Sequence, residues 1–127
     1  NIKNGMDWVM EDGDVIPNSR LVTPADPVRS YAYCSDTKYM PQLSQALRGV
    51  TTLYHESTYG EDNKKNAEKY YHSTASQAAT VARDANVGQL ILGHFSARYN
   101  DESILLEEAK SIFANAFLAK EMAIFNV

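Results

Sequence analysis

The chain has 127 residues, which suits a single domain over residues 1–127 with a core of modest size. Its net charge of −4 gives no general electrostatic attraction for nucleic acid, and no apolar run approaches the roughly 20 residues that a membrane span needs. The single cysteine, Cys34, cannot form an internal disulfide and no signal peptide is visible, so we expect a cytoplasmic protein.

The first half of the chain alternates between predicted strands and helices after an amino-terminal region of turns. Residues 1–30 contain glycines and prolines at spacings that favour short extended segments. The aromatic and uncharged residues 30–35 predict a buried strand, and residues 50–54, which are rich in β-branched side chains, predict a second strand. Between them, residues 39–48 carry apolar side chains at helical spacing and predict a helix.

The second half of the chain continues this alternation. A turn of helix is predicted at residues 64–70, and an alanine-rich helix is predicted to begin at the capping residues Ser73 and Thr74. Residues 89–93 predict a third strand, and the apolar stripe along residues 101–119 predicts a final helix. The order of elements indicates an α/β fold built in layers.

Polar residues follow each of the three predicted strands. Asp36 follows the first strand, His55 and Glu56 end the second, and His94 follows the third. Sites on α/β sheets lie beyond the carboxyl ends of strands, so we expect these side chains to converge. Asp36 and His94 are residue types that bind a metal such as zinc, whereas a glutamate beside a histidine is typical of a proton relay. Each also has an ordinary structural interpretation, and Thr58 is interpreted as a helix cap.

Four motifs resemble, in order, the carboxyl-terminal half of ribonuclease Z, a member of the metallo-β-lactamase superfamily. These motifs read SYAYCSDT, LYHEST, HSTASQAA and LGHFSARY, and the resemblance spans about residues 30–120. It implies an α/β fold that is half of a four-layer αββα sandwich, with one mostly β sheet and outer helices. The chain would then be the carboxyl-terminal portion of a metallo-β-lactamase-like domain.

The resemblance also implies roles for six side chains in these motifs. Metal ligation is implied for Asp36 and His94, proton transfer for Glu56 and His72, and substrate phosphate binding for Ser96 and Arg98. His55 is expected to be structural, so neither histidine of LYHEST and HSTASQAA is predicted to bind metal.

The activity implied by the resemblance is that of a zinc-dependent endoribonuclease that removes the 3′ trailer from precursor tRNA and leaves a 3′-hydroxyl. The whole enzyme would hold two zinc ions, but this chain has three histidines and no His-x-His-x-Asp-His motif. We therefore expect the chain alone to lack activity. The implied partners are precursor tRNA, the missing amino-terminal half and, because the family is commonly dimeric, a second copy of the enzyme.

Two alternatives remain open at the level of sequence. The first is another phosphodiesterase or hydrolase of the metallo-β-lactamase superfamily that acts on small substrates. The second belongs to another class: a half-domain that acts mainly as a packing or dimerisation module. The first differs from a ribonuclease Z in substrate, whereas the second predicts an exposed apolar surface where a partner sheet would lie.

Overall fold

The structure is a computed structural model, and it describes residues 2–127. Over this range the strands are β1 (Trp8–Val9), β2 (Val15–Ile16), β3 (Tyr31–Cys34), β4 (Thr52–Glu56), β5 (Gln89–Gly93) and β6 (Ala116–Leu118). The α-helices are α1 (Asn18–Leu21), α2 (Leu43–Ala46), α3 (Lys64–Tyr70), α4 (Ala75–Ala85) and α5 (Ser103–Lys110). Within the described residues, none of these helices is both long and apolar enough to cross a bilayer.

The main sheet has four strands in the order β3-β4-β5-β6, and every neighbouring pair is parallel. Cys34 pairs with His55 and Glu56 pairs with Gly93, so β3, β4 and β5 end close together. The carboxyl ends of these strands therefore meet at one edge, where the loops that follow them converge. Strands β1 and β2 form a separate antiparallel hairpin.

Helix α4 packs on one face of the sheet because its sequence provides both a defined start and a close-packing surface. The Thr74 hydroxyl accepts a hydrogen bond from the Gln77 backbone N–H, and the Gln77 side chain accepts one from the Thr74 backbone N–H, a capping box. Asn86 ends the helix in the left-handed conformation. The shared core contains buried residues of α4, α5 and the strands: Ala75, Ala78, Ala79, Val81, Ala82, Ala85, Leu105, Ala109, Leu53, Leu90 and Leu92.

The opposite face of the sheet carries exposed aromatic side chains. Tyr33 is 65% exposed and stacks on Tyr54 with the ring centroids 4.7 Å apart. Tyr31 and Phe117 are also exposed. Residues 119–127 cover only part of this face and leave a cavity of about 370 Å³ against it. An aromatic face of this kind is what the predicted half-sandwich requires.

The predicted strands at residues 30–35, 50–54 and 89–93 are confirmed, with shifts of up to two residues at their ends. Two predicted helices differ from the structure. The helix at residues 39–48 is helical only in α2, and the helix at residues 101–119 ends at Lys110 and is followed by a fourth strand, β6. The apolar periodicity of residues 101–119 therefore combines a helix face with a strand that pairs with β5.

Gly93 is required at the end of β5 because the Tyr54 ring fills the space beside it. A Cβ atom at this position would lie 2.1 Å from Tyr54 Oη and 2.5 Å from Cζ. We expect Gly93→Ala to lower the free energy of unfolding by about 1–3 kcal/mol, measured by urea denaturation. In a Tyr54→Ala background the same substitution should cost much less, because the ring is gone. Equal costs in both backgrounds would contradict this explanation.

Candidate active site

Four side chains from separate parts of the chain converge beyond the carboxyl edge of the main sheet. Asp36 follows β3, Glu56 ends β4, His72 lies between α3 and α4, and His94 follows β5. One potential ligand atom from each lies within 4.8 Å of those of the others. The predicted convergence of the strand ends is therefore confirmed in this geometry, and His72 joins it from the loop before α4.

Glu56 is the buried centre of this cluster, and hydrogen bonds occupy both of its carboxylate oxygens. Oε1 accepts from the Thr37 backbone N–H and from His72 Nδ1, each at 2.8 Å. Oε2 accepts from the Thr58 hydroxyl at 2.5 Å and from the Ser73 backbone N–H at 3.1 Å. A carboxylate has about four lone-pair sites, so no site on Glu56 remains for a metal ion.

The surroundings of Glu56 favour its ionised form. Burial by itself raises the pKa of this carboxyl, but the hydrogen bonds from Thr58, Ser73, His72 and Thr37 outweigh it and the pKa lies below its ordinary value. The ionised carboxylate also ties together the loop after β3, the loop after β4 and the start of α4. Ser73 strengthens this tie, because its hydroxyl donates to the Thr37 carbonyl at 2.7 Å.

Thr58 sets which ring nitrogen of His94 carries a proton. The Thr58 hydroxyl has a single hydrogen, and the ionised Glu56 carboxylate can only accept, so that hydrogen points to Glu56. The Thr58 oxygen must then accept from His94 Nδ1, which lies 2.8 Å away. Nε2 of the neutral imidazole is therefore left with a free lone pair. A partner that fixes the tautomer in this way is typical of metal-binding histidines.

The free Nε2 of His94 faces the carboxylate of Asp36, and the two atoms fit the ligand shell of one metal ion. Nε2 and Oδ1 are 3.3 Å apart. Two ligands at about 2.0–2.1 Å from a tetrahedral zinc ion lie about 3.3–3.4 Å from each other. Both residues have positive φ angles, 51° for Asp36 and 59° for His94, a conformation that is uncommon outside glycine and that clusters at functional sites. Both are partly open to solvent, so further ligands have access.

His72 is oriented by Glu56 and keeps its second nitrogen free. Nδ1 is bonded to Glu56, and the imidazole ring lies 5.2 Å from that of His94 between the ring centroids. Its side chain is 21% exposed, so Nε2 can reach a bound molecule. The predicted Glu56–His72 pair is therefore formed in the structure. His55 differs: it is fully buried, Nδ1 donates to the Glu56 carbonyl at 2.8 Å, and burial lowers its pKa, which is consistent with a structural role.

Ser96 and Arg98 lie in the turn after His94, next to the cluster. The Ser96 backbone N–H donates to the Thr58 carbonyl at 3.0 Å, which ties this turn to the loop after β4. The Arg98 guanidinium donates to Asn63 at 2.5 Å and lies over the Tyr59 ring, 5.3 Å from its centroid. The exposed guanidinium is therefore held in place by neutral partners.

Sequence reasoning missed Thr58 and Thr37 as parts of the site. Thr58 is not a helix cap, because its hydroxyl bonds to Glu56 and His94, whereas Thr74 does cap α4. The signal for Thr58 was its place two residues after Glu56, which puts its side chain on the same side of an extended chain. Thr37 contributes a backbone N–H, which its residue type could not reveal.

Two solved structures place this architecture in a class. The metallo-β-lactamase fold protein YhfI from Bacillus subtilis matches 69% of this chain and 36% of its own, with a TM-score of 0.64 and 24% identity. The short form of human tRNase Z matches 65% of this chain and 27% of its own, with a TM-score of 0.52 and 25% identity. The chain therefore has part of the metallo-β-lactamase fold. No family model matches it.

The sequence comparison is more specific. Ribonuclease Z of Bacteroides fragilis is 55% identical to the chain over 120 residues, which are 94% of the chain and 40% of that relative. The resemblance to ribonuclease Z drawn from the four motifs is thus confirmed. The chain spans about 40% of the length of this curated relative.

Proposed function

We propose that this chain is the carboxyl-terminal part of a ribonuclease Z and supplies half of its active site. The whole protein would be a zinc-dependent endoribonuclease that removes the 3′ trailer from precursor tRNA and leaves a 3′-hydroxyl. The observation that carries the proposal is the cluster in which His94 Nε2 faces Asp36 while Glu56 orients His72. It combines a metal-binding pair with a proton-transfer pair, as metal-assisted phosphodiester hydrolysis requires.

Each residue of the cluster has a distinct task in this proposal. Asp36 and His94 would hold zinc, and the metal, when bound, would supply an activated water and charge neutralisation. His72 gives a proton from Nε2 to the leaving 3′-oxygen, while Glu56 holds Nδ1–H and stabilises the imidazolium before the transfer. The bond between phosphorus and O3′ breaks, and the trailer keeps the phosphate.

Arg98 and Ser96 are proposed to contact the phosphates of the substrate. The Arg98 guanidinium is exposed and donates to the neutral side-chain amide of Asn63. Because this amide carries no charge, the positive charge and the remaining N–H donors of Arg98 are available to a phosphate. Ser96 lies two residues before it, and its hydroxyl oxygen is 3.4 Å from the Arg98 backbone nitrogen. Ser96 and Arg98 follow His94 by two and four residues in the turn after β5, and this nearness in the chain supports the proposal.

The chain alone is expected to show no zinc-dependent cleavage of precursor tRNA and to bind zinc weakly. Asp36 and His94 are two ligands, whereas a catalytic zinc takes three protein ligands and a two-metal site needs more. Trailer release on a gel and calorimetric zinc titration measure the two quantities. Cleavage at enzyme rates, or a tight stoichiometric zinc site, would contradict the half-site proposal. The full-length protein, assayed in parallel on a model phosphodiester, tests the alternative of a different hydrolase of the superfamily.

A packing role is the second candidate, and the exposed aromatic face of the sheet favours it. Tyr31 and Tyr33 are each more than half exposed on this face. We propose that the face receives the amino-terminal half of the same protein and that the complete enzyme is a cytoplasmic homodimer. Analytical ultracentrifugation of the chain alone tests whether the exposed aromatic face needs a partner, because such a face should cause the chain to associate. A stable monomer at high concentration would argue against a surface that needs a partner.

A further inference from the structure

A cavity of about 310 Å³ opens beside His72 on the side of α3, and the proposed function leaves it without a role. It is lined by Lys38, Tyr39, Glu68, Tyr71, His72 and Gln77. Its volume is at the lower end of the range for sites that bind small organic groups. Since His72 forms part of its wall, whatever fills the cavity lies next to the proposed proton donor.

Tyr71 is the feature of this cavity that folding does not explain. It ends α3 in the left-handed conformation, with φ 59° and ψ 44°, at the position where helices most often place glycine. A bulky side chain is disfavoured there, and the ring is nevertheless 68% exposed. Among residues 2–127 the ring stacks on no other aromatic side chain. A strained position that displays an unpaired aromatic ring next to a proton donor indicates a binding role.

The chemistry of the cleavage determines which part of the substrate reaches this cavity. This step rests on the proposed function. If the product keeps a 3′-hydroxyl, the leaving oxygen is O3′ of the nucleotide on the 5′ side of the cut. His72 must approach that oxygen to protonate it. The nucleotide that lies against His72 and its cavity is therefore the last one that the tRNA retains.

The wall of the cavity suits a nucleobase better than a phosphate. Glu68 brings a carboxylate, which repels a phosphate group and can accept a hydrogen bond from a base amino group. Tyr71 offers an exposed π face, and stacking on such faces is the usual way in which proteins hold unpaired bases. Lys38 also lines the cavity and makes no ion pair among the described residues. Its ammonium group is available to the phosphate of the same nucleotide.

We propose that this cavity binds the base of the nucleotide on the 5′ side of the scissile phosphodiester, with the base stacked on Tyr71. Tyr71 is thus a substrate-binding residue: it holds the retained nucleotide next to His72 and takes no part in the proton transfer. The base contributes binding that is the same before and during the reaction, so its loss raises KM more than it lowers kcat. Any base can stack, so the contact favours an unpaired nucleotide at this position without requiring one sequence.

The test uses the full-length protein that contains this sequence, with Tyr71→Gly and Tyr71→Phe variants. Tyr71→Gly suits the left-handed backbone, so its melting temperature should stay the same or rise, while KM for precursor tRNA should rise at least about fivefold. Tyr71→Phe should retain the wild-type KM. Tyr70→Ala is the matched control, because Tyr70 is an exposed neighbour that does not line the cavity. A lower melting temperature with an unchanged KM would make Tyr71 structural and overturn the proposal.

A substrate without the base completes the test. An abasic nucleotide on the 5′ side of the cut should raise KM for the wild type at least as much as Tyr71→Gly does, and should raise KM much less in the Tyr71→Gly background. An abasic first trailer nucleotide should show no such coupling. If the effect of Tyr71→Gly depended only on the base of the first trailer nucleotide, the cavity would bind the base on the 3′ side of the cut. That result would overturn the proposal. If the full-length protein cleaves no precursor tRNA at all, the proposed function itself fails, which is a different result.

Discussion

Replacing Glu56 by alanine is expected to lower the free energy of unfolding by about 3–5 kcal/mol, because it leaves buried hydrogen-bond donors without an acceptor. These donors include the backbone N–H groups of Thr37 and Ser73 and the hydroxyl of Thr58. The melting temperature should fall by about 10–20 °C. Circular dichroism during heating and urea denaturation of the chain measure both quantities.

Two further variants separate the loss of the Glu56 hydrogen bonds from the loss of side-chain volume and from the loss of a negative charge. Glu56→Gln keeps the side-chain volume but turns an N–H₂ group toward two of the donors. Its free energy of unfolding should therefore lie between that of Glu56→Ala and that of the wild type. Glu107→Ala, an exposed carboxylate on α5, should change stability by about 0.5 kcal/mol or less. If Glu56→Ala behaved like Glu107→Ala, the carboxylate would not be the centre of the cluster.

The pH dependence follows from the direction of the Glu56 pKa. The folded-state pKa lies below the ordinary value of 4.5, so the carboxylate stabilises the fold fully above that value, and its contribution is lost as the pH falls through the lowered pKa. The wild type should therefore lose its stability advantage over Glu56→Gln in acid. An advantage that stays constant below the ordinary pKa would contradict the assigned direction.

Replacing His72 by asparagine in the full-length protein is expected to lower kcat for precursor tRNA by about 10²–10⁴-fold, the usual contribution of a general acid. The asparagine amide can still donate to Glu56 as Nδ1 does, but the Nε2 atom is gone. Zinc content should stay at the wild-type level, measured by atomic absorption. Asp36→Ala and His94→Ala should instead reduce the zinc content.

A substrate with sulfur in place of the leaving O3′ is the decisive control for His72. A thiolate leaves without being protonated, because thiols have a much lower pKa than alcohols. The defect of His72→Asn should therefore shrink strongly on this substrate, while a loss of positioning would persist. An equal defect on both substrates would show that His72 does not act as the proton donor.

The positions of the site residues were predictable from the sequence, whereas the hydrogen bonds that orient them were not. The strands β3, β4 and β5 follow from short apolar runs that end in polar residues, so Asp36, Glu56 and His94 could be placed at one edge. The tautomer of His94 depends on the Thr58 hydroxyl and could be read only from the three-dimensional contacts. A threonine after a strand has several common partners, and sequence alone does not choose among them.

The fourth strand was missed because tertiary pairing overrides a local pattern. Apolar spacing along residues 101–119 suits a helix, yet β5 offers an open edge that β6 joins in parallel. Asn115 fixes the junction, since its side chain donates to the Gly88 carbonyl at 2.6 Å and its carbonyl accepts from the Leu90 backbone N–H at 3.0 Å. Such long-range bonds leave no trace in the helical periodicity of the segment.

The all-parallel sheet also governs when the site can appear during folding. Parallel neighbours are joined by crossovers and not by tight turns, so β3, β4 and β5 pair only after distant parts of the chain have met, which is a slow step. Helices α3 and α4 can form earlier from local interactions. A partly folded chain would thus hold His72 at its helix boundary while Asp36 and His94 were still far apart. If Asp36 and His94 bind a metal as proposed, that binding would come at the end of folding and would not nucleate it.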